Sequence, residues 1–142
     1  NRFRWYLSVK SLKRGAINML DVRLDEMNEV LHLTPDAPLS EADFDNAVKV
    51  VDPFIEKHGA LRGVVIEAER FPGWDSFGGL VAHLRFVRDH HEKVKRVAIV
   101  TDSAFGTFAE KVGSHFVSAE VRHFDSGELK KAEEWAAAGG GA

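Results

Sequence analysis

Two stretches, Gly63-Val64-Val65-Ile66-Glu67-Ala68 and Arg96-Val97-Ala98-Ile99-Val100-Thr101, are apolar through their centres, and a helix-length amphipathic segment lies between them. Strands buried on both faces read as continuous apolar runs, and they occur in parallel sheets covered by helices. The connection between parallel strands must cross over, and a helix is its usual form. This pattern restricts the chain to the α/β class more firmly than any single motif does.

The flanking segments extend the pattern. Ile17–Leu24 and Val30–Thr34 read as two strands, and the short Asp25-Glu26-Met27-Asn28 connection between them predicts an antiparallel hairpin. Pro35 and Pro38 interrupt regular structure. Ser40 with Asp43 forms a helix-start signature. Phe44, Ala47, Val48, Val51 and Ile55 follow at helical spacing, and Gly59 marks the end. Pro53 predicts a kink or break near Val51-Asp52, because proline removes a helical hydrogen bond.

A second helix carries Phe77, Leu80, Val81, Leu84 and Val87 on one face, with Asp75 placed as its N-cap. A shorter one carries Phe105, Phe108, Ala109 and Val112 and ends at Gly113. Ala119–Phe124 reads as the fifth strand, and Asp125-Ser126-Gly127-Glu128 caps a last helix with Leu129, Ala132 and Trp135. The predicted fold is one α/β domain, a five-stranded mixed, mostly parallel sheet with about four helices. Its expected limits are residues 15–136, after an N-terminal extension at 1–14 and before a flexible tail at 137–142.

Charge narrows the partners. The net charge of -3 conceals five basic residues and no acid among residues 1–14, which leaves 14 basic and 22 acidic residues elsewhere, a balance of -8. An acidic body argues against nucleic acid, which needs a positive footprint. The start, with Phe3, Trp5 and Tyr6 among its basic residues, reads either as a loosely ordered extension or as an arm for an anionic membrane. With no cysteine, disulfides and thiolate chemistry are excluded. No apolar run reaches membrane-spanning length and no secretory signal pattern is present, so the expected location is cytoplasmic, with or without peripheral membrane contact.

Several strings resemble the SpoIIAA-like family, small bacterial proteins related in fold to STAS domains and to lipid-binding CRAL-TRIO domains. They are Phe71-Pro72-Gly73-Trp74-Asp75, Leu84-Arg85-Phe86, Lys95-Arg96-Val97-Ala98-Ile99-Val100 and Ala119-Glu120-Val121-Arg122-His123-Phe124-Asp125. The resemblance covers roughly residues 16–135. It implies a STAS-like topology, a homodimer, no established catalysis, and a role with an apolar ligand or a membrane surface. Asp75-Ser76-Phe77-Gly78 also looks like the Asp-Ser-Ser-Gly string of STAS antagonists, whose helix-start serine is phosphorylated. Here Phe77 holds the phosphoacceptor position and Ser76 its neighbour, so Ser76 reads either as a phosphosite or as a helix cap.

Candidate chemistry is sparse. Phe71, Trp74, Phe77, Leu80 and Leu84, with Phe105 and Phe108, are the candidate ligand-binding residues, and Gly73, Gly78 and Gly79 would hinge the helix start above them. The same stripe is equally read as core, and Arg85 and Arg88 beside it suit an interfacial helix. His83, His90 and His91 lack a carboxylate at ligand spacing, so no metal is expected. Glu67, Glu69, Asp102 and Ser103 end two strands, where α/β enzymes place catalytic groups, but no nucleophile elbow or phosphate loop accompanies them. No catalytic residue and no cofactor is assigned. The expected function is a non-enzymatic binding module for an apolar small molecule or membrane lipid. The alternative is a STAS-type regulatory protein–protein module, and a weak enzyme using Asp102 or Glu67 comes third.

Overall fold

The computed structural model describes residues 20–69, 73–102, 109–110, 113–114 and 117–139. Its frame is a five-stranded sheet in which strands neighbour one another in chain order. β1 (Leu20–Asp25) and β2 (Val30–Pro35) are antiparallel, with Val22 opposite Leu33 and Leu24 opposite Leu31. β3 (Leu61–Glu67), β4 (Val94–Val100) and β5 (Glu120–Phe124) continue the sheet in parallel. The Asp25 carboxylate closes the hairpin by accepting from the Asn28 backbone N–H at 3.1 Å and from its side-chain amide at 2.8 Å. Local side-chain bonds of this kind favour turns over extended chain.

Three α-helices cover the sheet among the described residues: α1 (Glu41–His58), α2 (Phe77–His90) and α3 (Leu129–Ala137). The helix expected over Phe105–Val112 lies largely outside the described residues. α1 starts with the expected capping box. The Ser40 hydroxyl accepts from the Asp43 N–H at 3.3 Å, and the Asp43 carboxylate accepts from the Ser40 N–H at 2.8 Å. Gly59 ends the helix at φ 90°, a left-handed conformation that favours glycine. The break expected at Pro53 does not occur, and α1 continues through it. Pro53 faces solvent, while Ala47, Val51 and Phe54 pack inward around it. The missing N–H thus falls on the wet side of the helix, and burial of its dry side holds the turn together.

The helices form layers on opposite sides of the sheet. Phe44, Ala47, Val51 and Phe54 of α1, with Ala82 of α2, pack against Leu20, Val22, Leu31, Leu33 and Val64. On the other side Ala132 and Ala136 of α3 pack against Val30, Val65, Ala98, Val100 and Phe124, with Trp135 alongside. Asp125 and Glu128 form the expected reciprocal box before α3, within a short 3-10 turn at Ser126–Glu128. Fully burying one such apolar side chain contributes about 1.5–3 kcal/mol, so both layers are held chiefly by burial.

Candidate functional site

The site is the start and outer face of α2. Chain direction there is set by backbone pairing with the loop before α1. The Leu39 N–H donates to the Gly73 carbonyl at 2.8 Å, and the Asp75 N–H donates to the Leu39 carbonyl at 2.9 Å. Trp74 therefore forms a parallel bridge with Leu39. Gly73 makes the turn possible at φ 84°.

Ser76 is the N-cap, in place of the expected Asp75. Its backbone is extended, at φ -161° and ψ 170°, and its hydroxyl accepts from the Gly79 N–H at 3.2 Å. Asp75 instead accepts a hydrogen bond from the Ser76 hydroxyl at 3.0 Å. Gly79 is a point of contact rather than a hinge: a Cβ there would stand 2.5 Å from the Leu39 carbonyl oxygen. The helix start can approach the loop only because that side chain is missing.

The inner face of α2 is a chain of rings. His83 stacks on Phe44 with centroids 4.9 Å apart, and the Trp74 indole N–H donates to His83 Nδ1 at 3.0 Å. Burial lowers the pKa of His83 below the usual histidine value. Phe86 lies 5.9 Å from Phe44 and 4.4 Å from His90. His90 Nε2 reaches the Asp52 carboxylate on α1 at 2.7 Å, and its Nδ1 reaches the Phe86 carbonyl at 2.7 Å. His91 begins a 3-10 turn, and its Nδ1 accepts from the Ser118 N–H at 3.0 Å.

This corrects the expected orientation of the helix. The face that packs is Gly79, Ala82, His83, Phe86 and His90, so the stripe read from the sequence points outward. Phe77 is 78% exposed, Leu84 61% and Trp74 39%, while Leu80, Val81 and Val87 are half-buried. Of the candidate contact residues, Phe77, Leu80 and Leu84 share one side of α2, whereas Trp74 turns to His83 on the packed side. Phe71, Phe105 and Phe108 lie outside the described residues, as does Ser103.

Glu69 and Asp102 meet through their backbones. The Glu69 carbonyl accepts from the Thr101 hydroxyl at 3.0 Å and the Asp102 N–H at 3.3 Å, which ties the ends of β3 and β4 together. Among the described residues no group of three or more His, Asp or Glu side chains could hold a metal ion. No helix among them is long and apolar enough to cross a membrane.

Sequence reasoning missed one feature. A groove of about 540 Å³ lies on the α3 side of the sheet, lined by Arg23, Asp25 and His32 of the hairpin and by Lys130 and Glu133 of α3. His32 Nδ1 is 3.7 Å from the Glu133 carboxylate. The signal was present: Asp21, Arg23 and Asp25 alternate with Leu20, Val22 and Leu24, which marks a polar sheet face on the hairpin.

The profile of the SpoIIAA-like family matches residues 30–137. Among solved structures, the chain is similar to an uncharacterised protein of the DUF3478 family with a SpoIIAA-like fold from Shewanella loihica PV-4. The two share 18% identity with a TM-score of 0.66, over 82% of this chain and 91% of that one. At that identity the likeness is one of fold. A search of curated proteins gives no match.

Proposed function

The chain belongs to the SpoIIAA-like family, and from that premise we propose that it is a non-enzymatic regulatory module that docks another protein through the outer face of α2. The observation that carries this reading is the exposure of Phe77 and Leu84, 78% and 61%, on one side of a helix whose other side is packed. Exposed apolar side chains clustered on one face favour association. STAS-type folds commonly mediate regulatory protein interactions, which agrees with this use. A small apolar ligand is less well served by these residues, because it needs walls that enclose most of its surface. Phe77 and Leu84 stand out from the helix instead of converging on a cavity.

A lipid surface is the second reading. Trp74 at the start of α2, with Arg85 and Arg88 beside the apolar stripe, is the composition of an interfacial helix. The acidic balance of residues 15–142 works against an anionic bilayer.

Photo-crosslinking in cells separates the readings. A benzophenone side chain placed at Leu84 is compared with one at Met27, which is 77% exposed on the hairpin. Docking predicts protein adducts at position 84 well above those at 27. Equal yields at both positions remove the reading. Flotation with lipid vesicles, lost in Leu84→Asp, would transfer the face to the membrane.

A further inference from the structure

We infer that the groove between the hairpin and α3 binds a small linear zwitterion, with its carboxylate at the Arg23 end and its ammonium at the Asp25 end. The site follows from where α3 sits. Ala136 approaches Gly63 of β3, and the Arg96 guanidinium of β4 lies 4.8 Å from the centre of the Trp135 ring. α3 is therefore centred on β3 and β4. Among the described residues no other α-helix lies on that side, so the hairpin's part of the sheet stays open beside it. Leu20, Val22 and Leu24 pack under α1, and Asp21, Arg23 and Asp25 alternate with them toward the groove side.

The ions on this face are recessed. Asp25 is 7% exposed, and the side chains of His32 and Arg23 are 16% and 26% exposed. A plain solvated face would leave its charges in water, because withdrawing a charge is costly unless opposite charge answers it. Their positions are also fixed. Arg23 Nε lies 3.3 Å from the Asp21 carboxylate, and Arg23 Nη2 donates to the Thr34 hydroxyl at 3.2 Å. Asn28 holds Asp25 through both carboxylate oxygens. A carboxylate has about four lone-pair sites, so Asp25 can accept from a ligand as well. Groups set in place before binding lose little freedom on binding.

Opposite signs are sorted to the two ends. Gly63 is level with Val30, and Val30 with Asp25, so the Ala136 end of α3 lies beside Asp25. Arg23 is level with His32, whose Nδ1 meets Glu133 at 3.7 Å across the middle of the groove. Lys130 lies about one turn before Glu133, toward Arg23. Arg23 and Lys130 thus make one end positive, and Asp25 and Glu134 make the other negative. Arg23 and Asp25 are about 7 Å apart along their strand, and Lys130 and Glu134 about 6 Å apart along their helix. Val30 and Ala137 supply apolar wall for a short carbon chain between the ends. An α-amino acid carries its charges too close together to reach both. An ω-amino acid or a dipeptide carries them at the required separation, and the groove, of about 540 Å³, has the size of a small-molecule site.

The probe is ε-aminocaproate, titrated into the purified full chain and followed by amide NMR. It should give saturable shifts at residues 23–32 and 130–137. Norleucine has the same atoms with the two charges adjacent, and it should bind at least about tenfold more weakly. Glycylglycine carries the pair at its termini, and whichever probe binds more tightly identifies the source as ω-amino acid or peptide. Arg23→Met should weaken binding about tenfold, since hydrogen bonds to charged groups are the strong ones. Lys130→Glu, at an exposed position, should weaken it about two- to fivefold. Retained spectral dispersion shows that each variant is folded, and Lys130→Glu decides alone if Arg23→Met is not. No saturable shift with either ε-aminocaproate or glycylglycine overturns the inference. So does norleucine binding as tightly as ε-aminocaproate, or an affinity indifferent to the folded variants.

Discussion

His83 is held neutral by its surroundings. It is half-buried beside Phe44, its Nδ1 accepts from the Trp74 indole, and its pKa is lowered by desolvation. The unfolded chain therefore takes up the proton first as pH falls. Stability contributed by the neutral ring is full above about pH 6.5 and is lost as pH falls through the lower folded value. The urea midpoint of the wild type should decline between pH 7 and 5 more steeply than that of His83→Gln, and equal slopes would refute the assignment. Trp74→Ala removes both the donor and part of the burial, so the His83 pKa followed by NMR should move up toward the ordinary value. At the helix start, Ser76→Ala should lower stability by about 1 kcal/mol in thermal unfolding, while Ser76→Asp should lose little. At this scale the sequence was partly legible. Ser40, Asp43 and Gly59 act as their residue types predict. Asp75 and Ser76 are both good capping residues, and only the local backbone decides between them. That Gly79 is a contact depends on Leu39, forty residues away in the chain, and no local pattern reveals it.

α2 shows where helical periodicity stops informing. Phe77, Leu80, Val81, Leu84 and Val87 form a clear apolar stripe, but Gly79, Ala82 and Phe86 form a second one on the opposite side, with His83 and His90 in line. Spacing identifies both stripes and ranks neither. The choice is made by fit: small residues at 79 and 82 let the helix sit close, and His83 and His90 find partners at Trp74 and Asp52. Bulk on the outer stripe was therefore a poor guide to burial. The consequence is measurable. Phe77→Ser and Leu84→Gln should each change the stability of the monomer by less than about 0.5 kcal/mol, the range of exposed positions. Phe86→Ala should cost about 2–3 kcal/mol, less than a fully buried phenylalanine because Phe86 is half-buried. Urea unfolding of the three variants at low concentration decides the matter. A large loss from Phe77→Ser with little from Phe86→Ala would mean the faces are assigned the wrong way round. The same logic covers α1. Pro53 costs its helix a hydrogen bond on the exposed side, so Pro53→Ala should stabilise the chain by roughly 1–3 kcal/mol.

Across the whole molecule, the strand order and the mixed sheet follow from the alternation of apolar runs with amphipathic ones, and both are legible without coordinates. What closes the other face of the sheet is not. α3 reaches β3 because Gly63 has no side chain: a Cβ there would lie 2.6 Å from both the Cβ and the carbonyl oxygen of Ala136. In the sequence, Gly63 looks only like a weak start to an apolar strand, since its partner lies beyond two further strands. The dependence can be isolated. Gly63→Ala must push the C-terminal half of α3 outward, because Ala136 presents backbone as well as side chain, and overpacking of this kind costs about 1–3 kcal/mol. Gly127→Ala is the control, with nothing within 4 Å of the added carbon. Hydrogen exchange should then show amides of residues 129–137 losing protection in Gly63→Ala before those of β3 and β4 do, since α3 becomes the least stable unit. Loss of protection spread evenly over the sheet and α3 would show instead that the two unfold as one. The groove between the hairpin and α3 would also widen, because Lys130 and Glu133 move with the helix that carries them. The side of the sheet bearing α2 would be spared. In Gly63→Ala the cross-linking yield at position 84 should therefore match the wild type, which places the docking face and the α3 seam under separate control.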